Sequence, residues 1–273
     1  MKDKIKKFVE ENYINNSKKF IPGETIIPPS GKLVGKEEVQ SMIEASLDAW
    51  LTTGRFNTEF QNELSNFLKV KHLITVNSGS SANLVAFSSL TSHLHKEKAI
   101  KPGDEVITVA AGFPTTVNPI FQNGAVPVFV DVKFPTYNIN EELIEEAITE
   151  KTKAIIPVHL FGQCSNMDEI NRIAKKYNLK VIEDAAQAVA AEWKGKRAGS
   201  MGDTGCFSFF PAKNLGAYGD GGMVTTNSEE LYQKMLRTRQ HGIDMKNPYH
   251  YEHIGGNFRL DALQAGVLNV KLR

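Results

Sequence analysis

The stretch Lys180-Val181-Ile182-Glu183-Asp184-Ala185-Ala186-Gln187 reads as a short Val/Ile strand over Lys180 to Glu183 that delivers the carboxylate of Asp184 to its end. A strand this short and this apolar belongs inside a sheet covered on both faces. The neighbouring sequence repeats the theme. Upstream, His72 to Val76, Glu105 to Val109, Val126 to Val130 and Ala154 to Val158 are predicted strands. Helical patterns over Ser80 to Leu94, Pro114 to Asn123, Glu141 to Thr149 and Met167 to Tyr177 alternate with them. Downstream, Cys206 to Phe210 and Gly222 to Thr226 read as two more strands, and Ser228 to His241 as a helix. Ahead of the first strand come an amphipathic helix over residues 1–20, a Pro/Gly-punctuated arm over 21–36, and helices over Lys36 to Ala49 and Thr58 to Leu68. The alternation predicts an α/β fold: a mostly parallel sheet sandwiched by helices, with right-handed crossovers. No internal repeat or low-complexity tract interrupts it.

Ligands in such sheets bind beyond the carboxyl ends of the strands. Asn77 to Ser81, Ala110 to Phe113 and Asp184 to Gln187 all follow strands, so three segments far apart in sequence are expected to meet in one cleft.

Composition narrows the function classes. The chain has 273 residues, 41% hydrophobic and 23% charged, which is ordinary for a soluble globular protein. A formal net charge of +1 gives no reason to expect a nucleic-acid or membrane partner. Lys2, Lys4, Lys6 and Lys7 are expected on the wet face of a terminal helix. Cys164 and Cys206 form no CxxC pair and no metal spacing, which points to free thiols in a reducing compartment. Met1 to Asn16 is charged and lacks the apolar core of a signal peptide, and no apolar run is long enough to span a membrane. The expected location is therefore cytoplasmic, and Asn15-Asn16-Ser17 is read as a chance glycosylation sequon. There is no P-loop, no GxSxG elbow and no HExxH. His93 and His95 lie two apart on a predicted helix, and His250 and His253 fall in a polar loop, so no metal site is expected.

Three motifs carry chemistry. Asn77-Ser78-Gly79-Ser80-Ser81-Ala82 is a small-residue turn opening a helix. Its glycine permits close backbone approach to an anion, and the helix start offers free N–H groups and a positive dipole end. On its own the signal is weak, since plain helix capping is the commoner reading of such a turn. Asp184 is a carboxylate that is costly to bury unless it meets a cation. Lys213 lies in Phe207-Ser208-Phe209-Phe210-Pro211-Ala212-Lys213-Asn214-Leu215-Gly216, directly before Gly219-Asp220-Gly221-Gly222. A phosphate cradle, a carboxylate and an amine in that chain order match the needs of pyridoxal phosphate. The amine forms a Schiff base, the carboxylate meets the pyridine nitrogen, and the cradle holds the phosphate, to which Ser208 adds a hydroxyl. Phe113, just after a strand, is placed to stack on a flat ring, although an ordinary core aromatic would look the same.

Val76-Asn77-Ser78-Gly79-Ser80-Ser81-Ala82, Glu183-Asp184-Ala185-Ala186-Gln187, Phe207 to Asn214 and Gly256-Asn257-Phe258-Arg259-Leu260 together resemble the DegT/DnrJ/EryC1/StrS sugar aminotransferases, which are fold-type I pyridoxal phosphate enzymes. The resemblance runs from about residue 30 onward. It implies that Lys213 is the Schiff-base lysine, that Asp184 pairs with the pyridine nitrogen, that Gln187 contacts the ring hydroxyl and that Phe113 stacks on the ring. Ser78, Gly79, Ser80 and Ser208 would hold the phosphate. Asn257 would reach the phosphate of a neighbouring subunit, making the site one shared within a homodimer. The implied substrates are a nucleotide-linked keto-deoxyhexose and an amino donor, usually glutamate, in polysaccharide, lipopolysaccharide O-antigen or deoxyamino-sugar biosynthesis.

The resemblance also sets two alternatives. Ile27-Pro28-Pro29-Ser30-Gly31-Lys32, Trp50 to Phe56 and Ile107 to Val132 look closest to the CDP-4-keto-6-deoxyglucose 3-dehydrases. Those lyases use pyridoxamine phosphate and an iron–sulfur cluster, and carry histidine where this chain has Lys213. Two cysteines do not supply the four thiolates of such a cluster. The second alternative is a pyridoxal phosphate-binding domain without turnover. The expected organisation is a helix and arm over 1–35 and a cofactor-binding large domain over 36–273, as a fragment from which a C-terminal small domain is largely missing.

Overall fold

The computed structural model describes residues 2–14, 19–28, 30–92, 99–251 and 253–273. The Asn15-Asn16-Ser17 sequon, Pro29 of the expected arm, His93, His95 and the end of the helix expected over Ser80 to Leu94 lie outside the described residues.

The central sheet has seven strands: β1 (His72–Val76), β2 (Glu105–Val109), β3 (Val126–Val130), β4 (Thr152–Ile156), β5 (Lys180–Asp184), β6 (Thr204–Ser208) and β7 (Gly222–Thr226). They lie side by side in the order β1-β7-β6-β5-β4-β2-β3. β7 runs antiparallel to β1 and β6, and every other pairing is parallel. All strands but β7 therefore point their carboxyl ends the same way. Among the described residues the eight helices are α1 (Lys2–Asn12), α2 (Lys36–Asp48), α3 (Arg55–Leu68), α4 (Gly79–Thr91), α5 (Pro114–Gln122), α6 (Met167–Tyr177), α7 (Glu229–Arg239) and α8 (Ala262–Lys271).

Strand alternation sorts the core into two layers. Ile74, Ile182, Cys206 and Val224 pack against Val85, Phe87, Ile120, Leu231 and Met235 of α4, α5 and α7. Their neighbours Leu73, Phe207 and Met223 face the other way, onto Phe60, Leu64, Leu68 and Leu268 of α3 and α8. Ile107, Ile155 and Val181 extend that second layer over Met167, Ile170 and Ile173 of α6. Full burial of each such side chain contributes about 1.5–3 kcal/mol. The sheet is thus clamped from both sides, which fixes where its strand ends lie.

β3 is the exception to strands covered on both faces. As an edge strand it leaves Val126 47% and Phe129 52% exposed. It also tolerates Pro127, whose missing N–H would break an interior ladder. The strand expected over Ala154 to Val158 is shifted to Thr152–Ile156, because Pro157 has no N–H to continue the ladder. Val158 keeps one isolated bridge, to Asp184. The strand expected over Cys206 to Phe210 is likewise Thr204–Ser208, and Phe210 turns outward before Pro211.

The helix expected over Glu141 to Thr149 is instead two 3₁₀ turns, Glu141–Leu143 and Glu145–Ala147. With β4 starting at Thr152 there is no room for a third α-turn. The carboxylates are drawn sideways, Glu141 to Lys133 and Asn166, and Glu145 to Arg172 and Lys176. These two cations hold the Glu145 carboxyl down at about 2. A hairpin of Ile243–Asp244 with Asn247–Tyr251, and α8 itself, were not expected from the sequence.

The helix expected over 1–20 is described over Lys2–Asn12, and it buries no residue. Lys4 and Lys7 are on its exposed face as expected, but Lys2 and Lys6 reach across to Asp48 and Glu44 of α2. Lys36 meets Glu10 at 2.8 Å from the other side. Exposed pairs like these contribute little each, so α1 is held weakly. Among the described residues no helix is long and apolar enough to cross a membrane.

Candidate active site

The carboxyl ends of β1, β5 and β6 open on a cleft of about 900 Å³. Ser78, Gly79, Ser80, Phe113, Asp184, Gln187, Ser208 and Lys213 all line it. Eight of the nine residues singled out for the cofactor are therefore brought together, from segments up to 135 positions apart (213 − 78).

Sheet register builds the cradle. Val76 and Ser208 both pair with Gly222, so the ends of β1, β7 and β6 form one row. The chain leaving β1 folds back over that row. A Cβ on Gly222 would lie 2.4 Å from the Ser78 carbonyl oxygen, and one on Gly79 would lie 2.7 Å from Ser208 Cβ. Only glycine permits this approach, and it presses the start of α4 against the Ser208 hydroxyl. Ser78 is the N-cap of α4: its Oγ accepts from the Ser81 N–H at 3.0 Å. The Gly79 and Ser80 N–H groups, in the first turn, have no intrahelical partner. They lie at the cleft wall, where the helix dipole favours an anion.

Asp184 lies on the cleft floor, 4% exposed. Its Oδ2 accepts from Thr116 Oγ1 at 2.6 Å and Asn83 Nδ2 at 3.0 Å, and its Oδ1 accepts from the Ala186 N–H at 3.1 Å. These donors are all neutral. A carboxylate offers about four lone-pair sites, so Oδ1 keeps room for one more donor. A buried anion with an open valence facing a cleft suits a cationic ring N–H.

Gln187 turns its Oε1 to the Phe161 N–H at 2.8 Å, which leaves its amide NH₂ as the free end. Phe113, the N-cap residue of α5, is 70% exposed in this chain, and Phe161 across the cleft is 78% exposed. Two aromatic rings left uncovered at the mouth of a largely apolar cleft suit a flat ligand. Lys213 is half-buried on a turn fixed by its N–H bonding the Phe210 carbonyl at 2.8 Å. It also forms part of the wall of a second cavity, of about 850 Å³, against residues 30–34, Tyr218 and Lys271. Asn257 is not in the cleft. It is exposed and bridges to Gln240.

Beneath the floor lies a buried hub that the sequence did not disclose. Strand alternation turns Glu183 away from Asp184, and it is fully buried with His159. Glu183 accepts from the N–H groups of Gly199, Met201 and Gly202 and contacts His159 Nε2 at 2.9 Å. The Ser165 N–H donates to His159 Nδ1, so the proton is on Nε2 and is given to Glu183. The His159 N–H in turn bonds the Asp184 carbonyl at 3.0 Å. One carboxylate thus ties β5 to the loop carrying Phe161 and to the turn that enters β6. Burial, with Glu183 nearby, pushes the Cys164 thiol up to about 11, and Cys206 is raised by full burial. Both are free and inert cores rather than ligands. Among the described residues no group of three or more His, Cys, Asp or Glu could hold a metal.

Asn83 and Thr116 also went unread. Asn83 lies four positions after Gly79, hence on the same face of α4, and Thr116 sits in the first turn of α5. Each looks like an ordinary helix residue until Asp184 is placed between them.

The sheet order and the helices packed on both faces match the fold of the fold-type I pyridoxal phosphate enzymes. The sequence profile of the DegT/DnrJ/EryC1/StrS aminotransferase family matches residues 33–273, and the chain belongs to that family. Enzymes of the family bind pyridoxal or pyridoxamine phosphate. The chain is 45% identical to the lipopolysaccharide biosynthesis protein RfbH of Salmonella typhimurium, over 97% of this chain and 67% of that one. It is 41% identical to the UDP-2-acetamido-2-deoxy-3-oxo-D-glucuronate aminotransferase of Pseudomonas aeruginosa, over 86% of this chain and 64% of the other. Among solved structures, the E. coli GDP-4-keto-6-deoxy-D-mannose-3-dehydratase with bound hydrated pyridoxal phosphate superposes with a TM-score of 0.83 at 28% identity, covering 90% of this chain and 66% of that one. The chain spans about three-fifths to two-thirds of the length of these relatives.

Proposed function

We propose that the protein is a pyridoxal phosphate-dependent aminotransferase that moves an amino group from an amino acid, glutamate by family likeness, to a nucleotide-linked keto-deoxyhexose. The observation that carries this reading is that Lys213, Asp184 and the Gly79–Ser208 cradle face one cleft. When bound, the cofactor supplies an electron sink for charge developing next to an amine nitrogen. The chain's residues do the rest. The first turn of α4 and Ser208 anchor the phosphate. Asp184 presents negative charge to the ring nitrogen and keeps it protonated. Phe113 covers the ring, and the Gln187 amide donates to the ring hydroxyl. Lys213 would anchor the cofactor covalently, and its amine, when free, would be the base that takes the proton from the donor α-carbon and the acid that delivers it to the cofactor C4′. Asn257, outside its own cleft, is assigned to the phosphate of a neighbouring copy in a homodimer with shared sites.

A second reading is favoured by the likeness to the E. coli dehydratase: a lyase that removes a sugar hydroxyl. Lys213 argues for amino transfer, because a lysine can both anchor the cofactor and shuttle the proton. The test is to load the protein with pyridoxal phosphate and supply glutamate followed by a nucleotide-linked keto sugar. The expected products are 2-oxoglutarate and a sugar carrying nitrogen. A sugar that has lost a hydroxyl and gained no nitrogen would transfer the assignment to the lyase.

A further inference from the structure

We propose that Thr116 and Asn83 are positioning residues for the reaction, acting as a clamp on one oxygen of Asp184 so that the other is left open to the ring cation. The inference rests on the pyridoxal phosphate reading above and assigns work to two residues that no motif marks.

The geometry is asymmetric. Thr116 Oγ1 at 2.6 Å and Asn83 Nδ2 at 3.0 Å both donate to Oδ2, whereas Oδ1 accepts only the Ala186 N–H, at 3.1 Å. Thr116 and Asn83 are themselves 2% and 5% exposed. They come from different helices, Thr116 from the first turn of α5 and Asn83 from α4. Together they brace the carboxylate from two directions.

A buried Asp with a free side chain could swing either oxygen toward the cleft and could share its charge with any passing donor. Two donors on Oδ2 remove that freedom. They fix the carboxylate plane, saturate Oδ2, and leave the remaining lone pair on Oδ1. The ring nitrogen then finds its partner already oriented, and no reorganisation accompanies each turnover. The Asn83 amide orientation follows from the same contact, because its NH₂ faces a carboxylate oxygen. That leaves Asn83 Oδ1 buried without a partner among the described residues, an acceptor in the cleft wall beside Asp184. Core packing alone gives no reason to keep an unpaired amide oxygen there, since a leucine would fill the volume at no such cost.

The test is Thr116→Val, which keeps the shape and removes the hydroxyl, alongside Thr116→Ser, which restores the hydroxyl. The readout is 2-oxoglutarate release from glutamate by the pyridoxal phosphate-loaded protein supplied with a nucleotide-linked keto sugar as amino acceptor, with thermal melting as the check on folding. Thr116→Val is expected to lower kcat by about tenfold or more with KM for glutamate within about twofold of wild type, on the scale of outer supporting residues elsewhere. Thr116→Ser is expected to recover kcat to within about threefold of wild type. A merely structural threonine would lower Tm and the active fraction without this split or this rescue. Where Thr116→Val does not fold, Thr116→Ala carries the same comparison. Wild-type kcat in either folded variant overturns the proposal. Wild-type protein that binds no pyridoxal phosphate, or releases no 2-oxoglutarate, overturns the parent reading instead, so the two failures are told apart.

Discussion

Replacing Lys213 with alanine is expected to abolish amino transfer, lowering kcat by about a thousandfold or more, the scale of a lost acid–base group. The fold should be unaffected. Lys213 lines the cleft, belongs to none of the three core clusters, and is held on its turn by a backbone bond that alanine retains. A stability change within about 0.5 kcal/mol is expected. The variant should still take up pyridoxal phosphate through the cradle and Asp184, but borohydride should leave no label on it. Turnover of glutamate within about tenfold of wild type would remove Lys213 from the mechanism.

Asp184→Asn is the second large effect. Asparagine matches the shape but turns one acceptor oxygen into a donor. At the Oδ2 position the new NH₂ would meet the Asn83 NH₂ and the Thr116 hydroxyl, so the lower-cost orientation places it at Oδ1. There it meets the Ala186 N–H and points a donor at the site where a ring N–H would need an acceptor. Both cofactor retention and kcat should fall, kcat by about a hundredfold to a thousandfold, as when one preorganised electrostatic partner is removed. A cofactor analogue whose ring nitrogen carries a fixed positive charge should recover part of the lost rate. Unchanged kinetics in Asp184→Asn would mean that the carboxylate serves the core and not the ring.

The sheet was legible because its strands are short Val/Ile runs at positions where burial leaves little choice. β1, β2, β3 and β7 match the expected boundaries, and the mismatch at β4 traces to Pro157. The helix expected over Glu141 to Thr149 failed for another reason: Arg172 and Lys176 from α6 recruit Glu145, and such long-range partners leave no mark on local periodicity. The same blindness hid the supports of the site. Ser78, Gly79, Asp184 and Lys213 could be singled out from short motifs, and the structure brings all four to one cleft. Asn83, Thr116 and the His159–Glu183 hub could not, because each is an ordinary residue on its own element and acquires a role only across separations of 101, 68 and 24 positions. Asn257 stands apart in this chain, and its proposed role requires a second copy.

The most direct test of the account is borohydride reduction of the complete natural protein after incubation with pyridoxal phosphate, followed by mass mapping of the labelled peptide. The account predicts a yellow protein whose colour is bleached by reduction, and one phosphopyridoxyl label on Lys213 in the peptide that follows Phe207-Ser208-Phe209-Phe210-Pro211-Ala212. A stable label on any other lysine, or none at saturating cofactor, would contradict the assignment of this cleft as a pyridoxal phosphate site anchored by Lys213.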